Sequence, residues 1–369
     1  MKTVAFIRST GIYNDSRATK EIFALVAAGY KVVVLGWNRD GKSVDQSRAV
    51  FSSVNESVSL FFYDRSLPNG SGMKGIAQYL FWFLWIRKML ISLSKIDYVH
   101  ACDFDTGFAV YAMCAKRNIK FVYDVYDYYV DAHILPSCLS GIVEWCEIKV
   151  INSADVVVIC TEERREQIAK ASPRRVEIIY NSPDISQEYS YNENTDYTYC
   201  GVLNDQRLVG EIFENYGQNS DISFVFAGYG RYESKARELQ KTYENFMFLE
   251  SIPYSKVLEL EAQTKVLAAI YEPTIRNHRL CAPNKFYEAL ALGKPVIVCK
   301  GTGIDKIVES NNIGICIDYD AEQFYAALRR LIASPDERRE MGIRARKLYD
   351  EKYSWEKMKK VLSEFYSEI

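Results

Sequence analysis

Residues 282–298 read APNKFYEALALGKPVIV, and this stretch indicates the fold more clearly than any other part of the chain. Pro283 near its start and Gly293 after an apolar helical pattern are typical helix boundaries. The apolar run that follows Pro295 is typical of a buried parallel strand. Because a helix that leads straight into such a strand is the repeating step of parallel α/β sheets, the stretch predicts an α/β fold.

The predicted helix carries polar side chains on one face. Asn284 and Glu288 are four residues apart, and Lys285 lies alongside them. The unpaired amides of the first turn and the Lys285 ammonium suit a diphosphate, and the Glu288 carboxylate can accept hydrogen bonds from two ribose hydroxyls. The face therefore suits a nucleotide. The alternative is an ordinary solvated helix face.

Length and composition narrow the class of protein. A chain of 369 residues exceeds what one hydrophobic core usually supports, so we expect two domains. The net charge of −2 gives no reason to expect a nucleic-acid partner. The nine cysteines contain no CxxC pair, and no secretory leader precedes the first predicted strand, so we expect reduced thiols and a cytoplasmic location.

Short apolar runs alternate with helical patterns in both halves of the chain, which is typical of doubly wound parallel sheets. The runs are residues 3–7, 31–35, 97–100, 121–123 and 156–159, and then 197–201, 222–228, 266–270 and 295–298. A polar stretch at residues 181–195 separates the two sets. We therefore predict Rossmann-like domains at residues 1–182 and 183–350, followed by a helix at residues 351–369 that packs back on the first domain.

Glycine-rich and acidic loops follow the predicted strands. They are residues 10–12, 103–105, Asp127, residues 201–202 and 228–230, Glu272, and residues 301–303. Ligands of open parallel sheets bind beyond the carboxyl ends of the strands. If the two carboxyl edges face each other, these loops line a single cleft.

With these features the chain resembles glycosyltransferase family 4, whose members are retaining enzymes of the GT-B fold. The best-matched parts are residues 14–17 (NDSR), 28–32 (AGYKV), 97–103 (DYVHACD), 282–298, 301–304 (GTGI) and 353–356 (YSWE). The resemblance covers nearly the whole chain. It implies two domains facing across a cleft, a C-terminal helix that crosses back to the first domain, and a nucleotide diphosphate sugar held mainly by the second domain.

The resemblance also implies roles for single residues. By position, Glu288 corresponds to the carboxylate that binds the ribose, and Asn284 and Lys285 lie where phosphate or donor-sugar contacts are expected. Gly11 matches a glycine loop whose backbone approaches the diphosphate. Because the diphosphate leaves with added negative charge, we expect Lys285 and Glu288 to be catalytic as well. The remaining predicted donor-side residues are Gly201, Arg207, Gly228 and Glu272.

The chain departs from the family pattern at two positions. The paired-glutamate motif would place a carboxylate eight residues before Glu288, where this chain has Leu280. We expect Glu272 to take over part of that role. An arginine usually follows the first glycine of the second domain, but this chain has Val202. Arg207 is the nearest cation, and it either reaches the diphosphate or lies on the surface at the start of its helix.

The acceptor side is predicted from fewer residues. Where many relatives have a histidine followed by an acid, this chain has Tyr126 and Asp127. Asp127 is a candidate catalytic residue that either takes the proton of the acceptor hydroxyl or only orients that hydroxyl. His133, in the loop that follows, is another acceptor-side candidate. Asp103 either lines the acceptor cleft or caps the next helix near Thr106.

The sequence Asp103-Phe104-Asp105 has the spacing of the DxD motif that binds metal and nucleotide in another glycosyltransferase fold. Here it follows strand four of the first sheet, and the family that the chain resembles handles its diphosphate with cations and helix amides. We therefore expect no catalytic metal and no other cofactor.

The segment at residues 75–95 is aromatic-rich and uncharged up to Ile86, and Arg87 and Lys88 follow. It is too short to span a bilayer. Aromatic residues beside cations are typical of a helix in the membrane interface, and the alternative is a helix buried against the first sheet. In the first case the protein would be peripheral on the inner face of the cell membrane, and its acceptor would be a glycan on a polyprenyl diphosphate carrier.

Together these observations predict a hexosyltransferase-type retaining glycosyltransferase that moves a sugar to a glycan or lipid-linked glycan in bacterial surface polysaccharide biosynthesis. One alternative is a sugar-nucleotide epimerase of the same fold. Another is a non-catalytic nucleotide-sugar-binding or scaffold protein, which the changes at Leu280 and Val202 favour.

Overall fold

The computed structural model describes residues 1–13, 15–67, 75–93, 95–133, 135–186 and 189–369. Asn14 of the NDSR match, Ser94 of the aromatic-rich segment and residues 187–188 of the polar stretch lie outside the described residues. The chain forms two compact units. The first contains residues 1–180 and 358–369, and the second contains residues 181–357.

The first unit is built on a seven-stranded parallel sheet with the order β3-β2-β1-β4-β5-β6-β7. Its strands are β1 Thr3–Arg8, β2 Lys31–Asn38, β3 Val58–Asp64, β4 Tyr98–Cys102, β5 Lys120–Val125, β6 Val156–Ile159 and β7 Val176–Ile178. The apolar runs predicted β1, β2, β4, β5 and β6. The edge strands β3 and β7, which are less buried than the central strands, were not predicted.

Helices connect these strands as the doubly wound pattern predicts. They are α1 Ser16–Ala27, α2 Ser43–Val50, α3 Ile76–Ser92, α4 Phe104–Arg117, α5 Tyr129–Ala132 and α6 Ser137–Ser153. Asp15 caps α1 by accepting a hydrogen bond from the Ala18 amide at 3.1 Å. Gly29 has a φ of 87° just beyond α1, which lets the chain turn directly into β2.

The second unit contains a six-stranded parallel sheet with the order β10-β9-β8-β11-β12-β13. Its strands are β8 Thr195–Leu203, β9 Phe224–Gly230, β10 Phe246–Leu249, β11 Thr264–Ala269, β12 Val296–Cys299 and β13 Gly314–Ile317. Its helices are α7 Val209–Asn215, α8 Glu233–Thr242, α9 Tyr254–Ala262, α10 Arg276–Arg279, α11 Asn284–Leu292, α12 Ile304–Asn311, α13 Ala321–Ala333 and α14 Pro335–Leu348. The helix and strand predicted within residues 282–298 are α11 and β12.

The last helix, α15 (Trp355–Glu368), brings the chain back to the first unit. Tyr366 is fully buried, and its hydroxyl lies 2.9 Å from His100 Nδ1. Its carbonyl oxygen accepts hydrogen bonds from the hydroxyls of Tyr30 at 3.1 Å and Tyr98 at 3.3 Å. The end of the chain therefore belongs to the core of the first unit.

The aromatic-rich segment forms α3, and its two faces differ. Trp82, Ile86 and Leu90 are fully buried in the core of the first unit, where Trp82 stacks on Trp37 with ring centroids 5.4 Å apart. The opposite face is also apolar but exposed. Its exposed residues are Leu80 (58%), Phe81 (56%), Leu84 (53%) and Ile91 (66%). The buried alternative is therefore correct for one face only. No helix in the described part of the chain is long and apolar enough to cross a membrane.

All nine cysteines lie within the described residues, and all are free thiols. Six are buried, and Cys138 is exposed. None of the nine cysteines is paired with another, and most are packed in the interior.

Candidate functional site

The predicted donor-side residues of the second unit lie at the carboxyl ends of its central strands. Gly201 of β8 and Gly228 of β9 are partners in the sheet register. A Cβ atom on Gly228 would lie 1.9 Å from the Gly201 carbonyl oxygen, and the φ of Gly228 is 147°. The close approach of two strands therefore requires glycine at position 228, whether or not a ligand also contacts it.

Lys285, in the first turn of α11, points back to the end of β8. Its ammonium donates a hydrogen bond to the Cys200 carbonyl and lies 4.9 Å from the centroid of the Tyr199 ring. Burial lowers the pKa of Lys285, but Tyr199 and Glu288 outweigh burial and raise the pKa above its ordinary value. Lys285 is therefore a fixed positive charge beside Gly201.

Glu288 is on the same helix as Asn284 but in a different environment. Asn284 is exposed, whereas only 2% of Glu288 is exposed, so the solvated-face alternative is wrong for Glu288. Glu288 faces Tyr254 and Glu261 of α9. Burial and then Glu288 raise the pKa of the buried Tyr254 hydroxyl well above its ordinary value. A ribose hydroxyl that bound Glu288 would approach the carboxylate next to this tyrosine.

Arg207 lies in the turn after β8 and is held in place by Tyr271 and His278. Its guanidinium carbon is 3.7 Å from the centroid of the Tyr271 ring, and its Nη1 is 3.1 Å from His278 Nε2. Because arginine can only donate, His278 Nε2 must accept. His278 Nδ1 then carries the ring hydrogen, and this N–H donates a hydrogen bond to the Glu272 carbonyl oxygen at 3.0 Å. Arg207 is thus half-buried in a defined contact rather than a loose surface residue.

Each of the two cations of this site lies against an aromatic ring, Lys285 against Tyr199 and Arg207 against Tyr271. Burial raises the pKa of Tyr199, and the neighbouring positive charges of Lys285 and Arg207 oppose that rise. Tyr271 likewise interacts with both cations. Tyr271 and His278 were not predicted as site residues. The available signal was their position around Glu272, directly after β11.

Asp103, at the end of β4, corrects one expectation. Its side chain does not cap α4. It pairs with Arg8 and accepts hydrogen bonds from the Tyr126 and Asp127 amides at 3.0 and 3.2 Å. The Thr106 amide bonds instead to the Asp103 carbonyl oxygen at 3.2 Å. The nearby guanidinium attracts the carboxylate away from the helix end. Burial raises the pKa of Asp103 to about 6, although Arg8 opposes that rise.

Asp127, at the end of β5, lies next to Asp103 and is ion-paired on its other side. Its Oδ1 accepts a hydrogen bond from Arg164 Nη2 at 3.1 Å, and half of its side chain is exposed. Arg164, which follows β6, is nearly fully buried. Arg8 and Arg164 were not predicted as site residues. Both are cations at carboxyl ends of strands, which is the pattern that could have revealed them.

His133 and Gly11 have clear structural roles. The exposed His133 ring stacks on Tyr129 with centroids 4.1 Å apart, and its Nδ1 lies 3.1 Å from the Tyr129 carbonyl. A Cβ on Gly11 would lie 2.1 Å from Ser43 Oγ, and the Ser47 hydroxyl donates to the Gly11 carbonyl. Glycine at position 11 is therefore required by the packing of α2. Contact of its backbone with a diphosphate stays a prediction.

His100, Cys102 and Asp124 are the one group of side chains within the described residues that is spaced closely enough to hold a metal ion. Their potential ligand atoms all lie within 4.8 Å of one another. Arg17 Nη2 lies 2.8 Å from Asp124 Oδ1, so a cation there would meet a guanidinium. His100 also lies against Tyr366 in the core. The cluster is thus a buried polar network, and His100 is packed in the core.

Comparison with known proteins assigns the family. The family model described as Glycosyltransferase Family 4 matches residues 21–187, and the model described as Glycosyl transferases group 1 matches residues 188–348. Alpha-maltose-1-phosphate synthase of Mycolicibacterium smegmatis is 24% identical over an alignment of 264 residues that covers 61% of this chain and 66% of that protein. The chain thus spans just under two thirds of the length of this relative.

Solved structures agree on the fold. Sucrose-phosphate synthase from Thermosynechococcus elongatus superposes with a TM-score of 0.72 at 14% identity, covering 100% of this chain and 99% of that one. Anabaena Alr3699/HepE, in complex with UDP and glucose, superposes with a TM-score of 0.73 at 14% identity and covers 100% of both chains. The chain has the GT-B fold and belongs to glycosyltransferase family 4.

Proposed function

We propose that this protein is a retaining hexosyltransferase that takes its sugar from a nucleoside diphosphate donor bound by the second unit. The observation that carries the proposal is the pair of cations beside the first turn of α11: Lys285 lies against Tyr199 and Arg207 lies against Tyr271. Two cations and the free amides of a helix start suit a diphosphate. Glu288 supplies a carboxylate four residues farther along the same helix.

The same arrangement favours transfer over simple binding. Charge builds on the diphosphate as the bond to the sugar breaks, so a fixed cation stabilises the transition state more than the ground state. The position of Lys285 is fixed by its bond to the Cys200 carbonyl and by the Tyr199 ring. Loss of one such contact is expected to raise the barrier by about 3 kcal/mol. A hexose as the transferred unit is supported by the relatives, which are synthases of sugar phosphates.

We assign the acceptor hydroxyl to the carboxyl edge of the first sheet. Asp127 is half-exposed there, and Arg164 and Asp103 fix its position. A carboxylate in this place can orient the acceptor hydroxyl or take its proton. In retaining transfer of this kind the departing phosphate can itself remove the proton, so the minimum role of Asp127 is to orient the acceptor.

The exposed apolar surface of the first unit supports a lipid-linked acceptor at the inner face of the cell membrane, as in surface polysaccharide assembly. In addition to the exposed face of α3, three large apolar side chains of α6 are exposed: Leu139 (47%), Ile142 (58%) and Trp145 (56%). Helix α4 contacts both α3 and α6. Arg87 and Lys88 are exposed on α3, which has no acidic residue. Apolar side chains beside cations suit an anionic membrane surface.

Vesicle co-sedimentation tests this part of the proposal. We expect the protein to sediment with phosphatidylcholine vesicles that contain phosphatidylglycerol, and we expect the double substitution Leu80→Glu and Leu84→Glu to abolish sedimentation. Ile343→Glu is a matched control, because Ile343 is a 61% exposed helical residue of the second unit. Equal sedimentation of the double variant and this control would contradict membrane docking by α3. Trp82→Glu is unsuitable because Trp82 belongs to the core.

A turnover assay tests the activity itself. We expect transfer of sugar from a nucleotide sugar to a glycan acceptor, and loss of that transfer in Glu288→Ala. An epimerase would convert the donor without any acceptor present. A binding-only protein would take up the nucleotide with neither transfer nor donor hydrolysis. Leu280 and the 40% exposed Val202, which replace a carboxylate and an arginine, are the observations that favour this binding-only alternative.

A further inference from the structure

A second carboxyl group lies next to Glu288, and it comes from a different helix. Helices α9 and α11 pack together, and Glu261 of α9 is fully buried against the carboxylate of Glu288. Neither oxygen of Glu261 accepts a hydrogen bond from a donor group of the described residues. A buried carboxylate without a donor is costly, so this pair requires an explanation beyond packing.

A single shared proton explains the arrangement. Two ionised carboxylates in contact repel each other, and both can only accept hydrogen bonds. If one carboxyl keeps its proton, repulsion becomes a hydrogen bond between the two groups. Burial first and Glu288 second raise the pKa of Glu261 well above its ordinary value, while Lys285 opposes that rise. The proton therefore belongs on Glu261.

The surroundings of Glu261 contain few other groups that could change its charge. Within the described residues, the titratable groups that interact with it come from three elements: Tyr197 and Cys200 of β8, Tyr254 of α9, and Lys285 and Glu288 of α11. Burial raises the pKa of both Tyr197 and Cys200, so these two stay neutral. Lys285 is the one cation of the group, and it bonds to the Cys200 carbonyl.

We propose that protonated Glu261 is a positioning residue, which donates a hydrogen bond to one oxygen of Glu288 and so turns the other oxygen toward the ribose hydroxyls of the donor. This inference rests on the proposed binding of a nucleotide sugar by Glu288. It also accounts for Leu280, because the second carboxyl of the pair is supplied by α9 instead of by the segment before α11. Glu272, which was expected to take that role, bonds to Thr274 at 2.5 Å.

The proposal predicts a pH dependence of donor binding. As the pH rises and Glu261 loses its proton, Glu288 loses its hydrogen-bond donor and gains a like charge beside it. Donor affinity should therefore fall at alkaline pH. In Glu261→Gln the amide donates at every pH, so this additional fall should disappear. Glu261→Met has no donor, so its affinity should be about tenfold weaker at neutral pH, which corresponds to one lost hydrogen bond to a charged group.

Isothermal titration calorimetry with UDP between neutral and alkaline pH tests the proposal. GDP, ADP or dTDP replaces UDP if it gives a larger thermal shift. We expect the dissociation constant of the wild type to rise about tenfold more than that of Glu261→Gln. The titration of the nucleotide itself is common to both proteins and cancels in the comparison. Equal pH profiles for wild type and Glu261→Gln, or full affinity in Glu261→Met, would overturn the positioning role.

Two further readouts separate this inference from the proposed function. If Glu288→Ala binds the nucleotide as tightly as the wild type, the proposed role of Glu288 fails first. If Glu288→Ala weakens binding but Glu261→Gln behaves like the wild type at all pH values, only the inference about Glu261 fails. Thermal unfolding needs no ligand: Glu261→Gln should gain stability over the wild type as the pH rises, because the wild type must then bury a second charge.

Discussion

Lys285 occupies the space that a side chain on Gly201 would need: a Cβ atom there would lie 2.9 Å from Lys285 Nζ. We therefore expect Gly201→Ala to push the ammonium away from the end of β8 and to weaken nucleotide binding about tenfold, as for a lost charge-assisted contact. Calorimetric titration with UDP measures the effect. Gly141→Ala is the matched control, because nothing lies within 4 Å of a Cβ at Gly141. Equal affinity of both variants would contradict the role of Lys285.

Asp127 should affect the chemical step and not donor binding. We expect Asp127→Asn to lower kcat by about a hundredfold or more if the carboxylate takes the acceptor proton, and by less if it only orients the hydroxyl. The dissociation constant of the nucleotide should stay unchanged. Asp45→Asn, at a side chain that is 92% exposed, is the control. Steady-state kinetics and nucleotide titrations measure both quantities. Weaker nucleotide binding in Asp127→Asn would contradict the acceptor role and would indicate that Asp127 contacts the donor.

Glu147 should make the stability of the first unit depend on pH. Burial raises the pKa of Glu147 to about 8, although it accepts hydrogen bonds from the Tyr123 hydroxyl and the Tyr129 amide. Because the folded-state pKa lies above the ordinary 4.5, the stability that the proton provides is complete below pH 4.5 and is lost as the pH rises through 8. Glu147→Gln should remove this loss.

At pH 9 we expect the free energy of unfolding of Glu147→Gln to exceed that of the wild type by on the order of a few kcal/mol, and this difference should shrink toward pH 5. Urea unfolding of both proteins across this pH range measures it. A constant difference at all pH values would contradict the raised pKa of Glu147.

The two faces of α3 should respond differently to truncation. Trp82→Ala removes a fully buried ring and should cost about 3–5 kcal/mol of unfolding free energy. Leu80→Ala removes an exposed side chain and should change the unfolding free energy by less than about 0.5 kcal/mol. Chemical denaturation measures both values. Similar losses for the two variants would mean that the Leu80 face is covered in solution, which would also contradict its use as a membrane surface.

The sequence predicted the parts of the fold that depend on local pattern. Apolar runs identified the central strands, and Pro283 and Gly293 correctly bounded α11. The four edge strands β3, β7, β10 and β13 were missed, and β3 and β7 are less buried than the strands at the centre of their sheet. Local pattern predicted the helix α3 but left open whether it is exposed or buried, because only packing against the sheet separates the Trp82 face from the Leu80 face.

The contacts of the candidate site depend on packing between distant segments, which one sequence does not reveal. The helical spacing of Asn284 and Glu288 was correct, but only the packing of α9 against α11 buries Glu288 beside Glu261. The same holds for Asp103, whose helix-capping role was a sound local prediction. Arg8, 95 residues earlier in the chain, attracts its carboxylate instead.

The claim on which the account depends is that the Glu288 carboxylate binds the ribose hydroxyls of a nucleotide. The most direct measurement compares the dissociation constants of UDP and 2′,3′-dideoxy-UDP for the wild type and for Glu288→Gln. We predict that the wild type prefers UDP by about tenfold or more, and that this preference nearly disappears in Glu288→Gln because the neutral amide makes a weaker acceptor. An unchanged preference in Glu288→Gln would contradict the account.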